Sequence, residues 1–186
     1  MMPLTLPDLI AFDHALLTWM QGWRSPWADQ AMVVATWLGS LYVLLPVALL
    51  AAAWRARRLP PGRRGPACFV LAALLGASLI VHALKLAVAR TRPGLFEPLV
   101  TMPIDPSFPS AHTMQACAFA VACLLQCRHP ARLTGWLLAA AFVTLVGASR
   151  VYLQVHYPSD VLAGAAVALA WVGALWRAWP GPSAAE

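Results

Sequence analysis

Residues 66–93 read PACFVLAALLGASLIVHALKLAVARTRP, and this stretch decides the fold. Residues 66–89 form a nearly unbroken apolar run, long enough to cross a hydrocarbon core of about 30 Å, which takes about 20 helical residues. Lys85 lies near the end of the run, and Arg90, Arg92 and Pro93 follow it. Ionisable residues are costly at that depth and mark functional sites. The residue before a proline disfavours the helical region, so the helix is predicted to end near residue 91. Lys85 and Arg92, two turns apart, then leave the helix mouth on one face.

Four more segments of similar character surround this one, at 31–54, 111–127, 133–149 and 159–176. The chain of 186 residues is 61% hydrophobic and 11% charged, whereas about a quarter of the residues of an average soluble domain are charged. The expected fold is an all-α, polytopic transmembrane bundle of five spanning helices. It forms a single domain, 1–186, without linker or internal repeat. Gly164 and Ala168 stand in small-xxx-small register, which lets backbones approach closely and suggests that the last span is central. Residues 1–26 form an N-terminal amphipathic segment. Leu6, Ile10, Leu16, Leu17 and Met20 recur at helical spacing beside Trp19, Trp23 and Trp27, the pattern of a helix lying in the membrane interface or crossing as a short sixth span. The first 23 residues hold no Lys or Arg and are interrupted by Asp8 and Asp13, unlike a cleaved signal.

The net charge of +6 does not indicate a nucleic-acid partner, because the arginines sit in short loops between apolar runs rather than along a soluble face. Arg55, Arg57, Arg58, Arg63, Arg64, Arg128, Arg132 and Arg177 fall on one side of the membrane. By the positive-inside rule that side is cytoplasmic. Lys85, Arg90, Arg92 and Arg150 then lie together at the outer face. Cys68, Cys117, Cys123 and Cys127 fall within apolar runs and read as small buried hydrophobes.

Two further polar groups join Lys85 and Arg92 at that face. Ser110 precedes the third span and can cap it, leaving helix-start amides that suit an anion, with His112 in the same first turn. Arg150 closes the fourth span, and six residues on comes His156, with Asp160 at i+4 beyond Pro158. An aspartate so placed can hold one imidazole nitrogen and free the other as a nucleophile or base. Taken singly, Lys85 or Arg90 would read as a cation snorkelling to headgroups. His82, one turn before Lys85, reads as structural, and Tyr152 and Tyr157 as interfacial aromatics at the entrance. Lys85, Arg92 and Arg150 face one nearby carboxylate, Asp160, so a phosphate dianion would balance them. No acidic ligand set for magnesium accompanies them, which predicts metal-independent chemistry and no cofactor.

The three patterns Lys85-x6-Arg92-Pro93, Pro109-Ser110-Ala111-His112 and Ser149-Arg150-x5-His156-x3-Asp160 resemble, in order and spacing, the signature of the type 2 phosphatidic acid phosphatase superfamily, which also includes vanadium haloperoxidases. One departure is Ala111, where the family usually has glycine, and altered affinity or substrate range is expected there. The resemblance implies that His156 attacks phosphorus and forms a phosphohistidine, Asp160 holds its tautomer and His112 protonates the leaving oxygen. It also implies that Lys85, Arg92 and Arg150, with the amides near Ser110 and Ala111, bind the phosphate. The implied function is hydrolysis of a lipid phosphate or diphosphate in the bilayer, foremost undecaprenyl diphosphate, at the outer face of a bacterial inner membrane. Phosphatidylglycerophosphate, phosphatidate and lipid A phosphates are the competing substrates. Phosphoryl or head-group transfer between lipids, and lipid binding or transport without turnover, are the competing functions.

Overall fold

The computed structural model describes residues 5–58, 68–126 and 133–179. Arg63, Arg64, Cys127, Arg128 and Arg132 lie outside the described residues. Seven helices follow one another: α1 (Leu6–Gln21), α2 (Pro26–Leu38), α3 (Leu41–Arg58), α4 (Phe69–Val88), α5 (Ala111–Leu125), α6 (Leu133–Tyr152) and α7 (Pro158–Ala178), with no strand among the described residues.

Helices α4, α6 and α7 are each long and apolar enough to cross a membrane. The expected span 31–54 is instead the pair α2 and α3, bent by 45° and passing as one span only when taken together. The break falls at Gly39 and Ser40. Gly39 lies so close to α5 that an added Cβ would come 3.2 Å from the His112 carbonyl and meet Val146 as well. Glycine permits that approach and weakens the helix where it occurs. Helix α5, at 15 residues, extends about 22 Å at 1.5 Å per residue, short of a full hydrocarbon core.

The hub is α5 rather than the last helix. Thr113, Met114, Gln115, Ala116, Cys117 and Ala118 are all buried, and α5 packs against α4, α6 and α7. Small side chains explain this, since close backbone approach and dispersion, not water exclusion, hold helices together in lipid. Helix α7 contributes its small-residue face, as expected: Ala168 is fully buried, and a Cβ on Gly164 would come 2.8 Å from the Ser110 carbonyl. Phe69, edge-on to Trp176 and Trp179 at 5.4 Å each, closes the far end of the core.

A Thr5–Asp8 capping box starts α1, which packs on α6 and α7. Leu17 points inward, whereas Leu6, Ile10 and Trp19 are exposed. Beside Leu17 the inward face carries Asp13, fully buried. The segment is thus tied into the bundle through a charge.

The C-terminal ends of α4 and α6 and the N-terminal ends of α5 and α7 meet at one end of the bundle. Residues 89–110 cross it without helix. At the other end Arg55 donates to Gln126 Oε1 at the close of α5 (3.2 Å), and Arg177 lies in the last turn of α7.

Candidate active site

The backbone of Ala89 ends α4 at Val88, earlier than Pro93 alone predicts. Ala89 takes a left-handed conformation (φ 49°), and its N–H bonds to the Lys85 carbonyl. Lys85 and Arg92 therefore do not share a helix face; the loop brings them together. Lys85 Nζ pairs with Asp105 Oδ2 at 3.0 Å and also donates to the Pro106 carbonyl. Arg92 Nη2 pairs with Asp105 Oδ1 at 2.8 Å, and Arg92 Nε donates to the Asp105 carbonyl at 2.9 Å. Burial opposes ionisation of Asp105, yet Lys85 and Arg92 pull its carboxyl down to about 2.

After α6 the chain turns through Gln154 (φ 61°). The amides of Val155 and His156 both donate to the Arg150 carbonyl, at 3.2 and 3.3 Å. This fixes His156, whose ring is buried. Arg92 Nη1 donates to the Val155 carbonyl at 2.6 Å and lies 3.1 Å from His156 Nε2. Guanidinium has no acceptor, so Nε2 carries the lone pair and Nδ1 the hydrogen. Nδ1 faces Asp160 Oδ2 and Ser107 Oγ, both at 3.5 Å, and Ser107 donates to the same Asp160 oxygen. Burial, aided by the charges of Arg150 and Arg92 against the pull of Asp160, holds His156 down to about 3. The ring is neutral, with its reactive nitrogen turned away from the aspartate.

Asp160 sits in the first turn of α7, where a carboxylate is favoured, and accepts from the Tyr157 amide at 3.0 Å. Its other oxygen accepts from Arg90 Nη1 at 2.7 Å. Arg90 is therefore no snorkelling cation. Its Nη2 binds Asp13 at 2.8 Å, and its guanidinium lies 4.0 Å from the centre of the Tyr157 ring. Asp13 in turn accepts from the Ser159 amide (2.8 Å) and hydroxyl (2.6 Å). Tyr152 is buried and donates to Asp29 at 2.6 Å.

The expected balance of three cations against one carboxylate is thus corrected. Lys85, Arg90, Arg92 and Arg150 stand against Asp13, Asp105 and Asp160. The residual positive charge centres on Arg150, 4% exposed, which pairs with no carboxylate among the described residues. Arg150 Nη1 donates to Thr36 Oγ1 at 2.6 Å, and its Nε has no partner among the described residues. Ser110 does not cap α5 as expected: its hydroxyl lies 3.0 Å from Thr113 Oγ1, and its amide donates to the Asp160 carbonyl at 3.0 Å. The next amides, from Ala111 onward, lie in the first turn, where no intrahelical partner exists. Ala111 is not among the residues with positive φ, so its backbone makes no demand for glycine. Ala111, His112, Gln115 and Arg150 line a cavity of about 830 Å³ that continues between α2, α3 and α4.

Residues 66–182, which carry all three patterns, match the sequence model of the PAP2 superfamily. The chain belongs to the PAP2 superfamily. It is 32% identical over 155 residues to phosphatidylglycerophosphatase B of Bacillus subtilis, covering 78% of this chain and 72% of that protein. It is 37% identical over 138 residues to undecaprenyl-diphosphatase of Sulfolobus acidocaldarius, covering 72% of this chain and 62% of that one. The crystal structure of a transmembrane PAP2-type phosphatidylglycerolphosphate phosphatase from Bacillus subtilis superposes with a TM-score of 0.79 at 30% identity, over 93% of this chain and 86% of the other. Aquifex aeolicus LpxE shares the fold, with a TM-score of 0.75 at 23% identity.

Asp13, Arg90, Asp105 and Ser107 complete the site of this PAP2 chain although none is a named position of the three patterns. For Asp13 a signal existed, an acid inside an apolar helical pattern. Asp105 and Ser107 lie in an irregular loop, where no periodicity predicts a contact.

Proposed function

We propose that this PAP2 chain hydrolyses a phosphate ester of a membrane lipid. His156 Nε2 attacks phosphorus in line, the bond to the leaving oxygen breaks, and His112 gives that oxygen its proton. His112 then takes a proton from water, whose oxygen displaces phosphate from His156. Asp160 and Ser107 keep the hydrogen on Nδ1, and Lys85, Arg92, Arg150 and the first amides of α5 hold the non-bridging oxygens. Charge stabilisation of that kind is most of what phosphoryl transfer requires. The carboxylates near the site are already engaged by cations, so the reaction proceeds without a metal.

The observation that carries this reading is the pairing of a neutral, oriented His156 with a buried Arg150 that lacks a carboxylate partner among the described residues. A buried cation left so is costly, and a phosphate oxygen meets the need. The favoured substrate is a polyprenyl diphosphate, foremost undecaprenyl diphosphate, in keeping with the Sulfolobus relative's name. Phosphatidylglycerophosphate is the second reading, favoured by the similarity to the Bacillus phosphatase. In the bilayer, α4, α5, α6, α7 and the α2–α3 pair act as the five spans of a single domain with α1 in the interface. The arginine-rich end lies in the cytoplasm and the site faces outward across a bacterial inner membrane. The test is phosphate release by detergent-purified protein from both lipids, in excess chelator, for wild type and His156→Ala. Release that needs His156 and survives chelation is expected; release unchanged in His156→Ala, or abolished by chelator, would overturn the mechanism.

A further inference from the structure

The leaving group must occupy the side of the cavity beyond His112, and that side is not uniformly apolar. The break between α2 and α3 places Ser40 on the cavity wall, next to Gly39, where an added Cβ would come 3.2 Å from the His112 carbonyl. Ser40 is 4% exposed, and its hydroxyl has no hydrogen-bond partner among the described residues. Arg150 Nε, on the same cavity, is likewise buried and unpartnered. A buried donor left unsatisfied is costly, so two on one cavity call for acceptor atoms from a ligand.

A third group stands on the facing helix. His82 Nδ1 lies 2.6 Å from the Ser78 carbonyl, to which it must donate, so Nε2 is the nitrogen left for the cavity that His82 lines. The contact is braced from α5, where Gln115 Nε2 donates to Ser78 Oγ at 2.9 Å. Beyond this polar collar the lining turns to Leu41, Leu45 and Pro46, surfaces suited to a hydrocarbon tail.

We infer that Ser40 and His82, next to the Arg150 that holds the transferred phosphate, form a leaving-group subsite that binds the second phosphate of a lipid diphosphate, the one that stays with the lipid. The inference rests on the hydrolase reading above and specifies its substrate class. A leaving phosphate would carry anionic oxygens into the cavity that these groups line together with His112. A simple alcohol leaving group offers them none once its oxygen has taken the proton from His112. The bend in the second span is then a specificity device, since a straight helix would not bring Ser40 to the cavity beside His112.

The test uses farnesyl diphosphate and farnesyl phosphate, which share a tail, and compares initial rates of phosphate release by full-length protein. Loss of a hydrogen bond to a charged group corresponds to about a tenfold effect or more. Ser40→Ala is therefore expected to lower the diphosphate-to-monophosphate ratio of kcat/KM by about that factor. His82→Ala, at an exposed helix position, carries the same criterion if Ser40→Ala does not fold. A ratio that stays within about twofold of wild type overturns the subsite while leaving the hydrolase reading intact. No release from either lipid by wild type would overturn both.

Discussion

Asp13 offers the sharpest test of how the site is built, because it lies far from the three motifs in sequence and is fully buried. Its carboxylate accepts from Arg90, from the Ser159 amide and from the Ser159 hydroxyl. Asp13→Ala leaves an α7 amide without its partner and Arg90 with one carboxylate instead of two. Breaking a buried ion pair from one side costs roughly 3–5 kcal/mol. Arg90 is a quarter exposed and keeps Asp160, so a loss of about 2–3 kcal/mol is expected by the same principle. The chemical consequence is separate. Arg90, relieved of Asp13, draws Asp160 toward itself and loosens its hold on His156 Nδ1, so kcat falls by about tenfold, the equivalent of 1.4 kcal/mol, with KM little changed. Thermal unfolding in detergent and steady-state phosphate release read the two effects. Asp13→Glu, which keeps the charge, should recover part of kcat. A variant as stable and as fast as wild type would refute the idea that α1 holds the nucleophile's partner in place.

Asp105→Asn removes the carboxylate that shares Lys85 and Arg92 with the incoming phosphate. A like charge so close to a bound anion is worth roughly 1–3 kcal/mol at an effective dielectric near 20, so inhibition by vanadate should tighten by about tenfold. Weaker inhibition would mean that Asp105 aligns the cations rather than competing for them. Stability should also depend on pH through His156. Its folded value, about 3, lies below the ordinary value near 6.5, so between these limits the unfolded chain binds the extra proton. Stability is therefore lost as pH falls from about 6.5 toward 3, by up to about 1.4 kcal/mol per pH unit. His156→Gln should flatten the fall in melting temperature over that window, and an unchanged slope would contradict it.

Much of this arrangement was legible in the chain because its signals are local. Apolar runs mark the helices, prolines mark their ends, and a charge beside lipid marks function, which is how Lys85, Arg92, His112, Arg150, His156 and Asp160 could be singled out. What escaped depends on distances between segments remote in sequence. A carboxylate at position 105 and a hydroxyl at 107 have no pattern of their own, and only the course of residues 89–110 brings them to Lys85 and Asp160. Arg90, adjacent to the lipid surface, looks like a headgroup anchor until α1 is seen to deliver Asp13 against it. The hub position of α5 was equally hidden. Small residues allow close packing, but they do not say which of two alanine-rich helices is surrounded. The bend at Gly39 and Ser40 lies inside a run apolar enough to pass for one helix, and only the approach to His112 shows why glycine stands there.

The central claim is a covalent intermediate on His156, and it can be trapped directly. Wild-type protein is mixed with diphosphate lipid labelled in its terminal phosphate, quenched in alkali within the first turnover, digested and sequenced by mass spectrometry. The expected result is phosphate on the peptide containing His156, stable in alkali, labile in acid and absent from His156→Ala. Phosphate on another residue, or rapid phosphate release with no labelled peptide at any quench time, would contradict it.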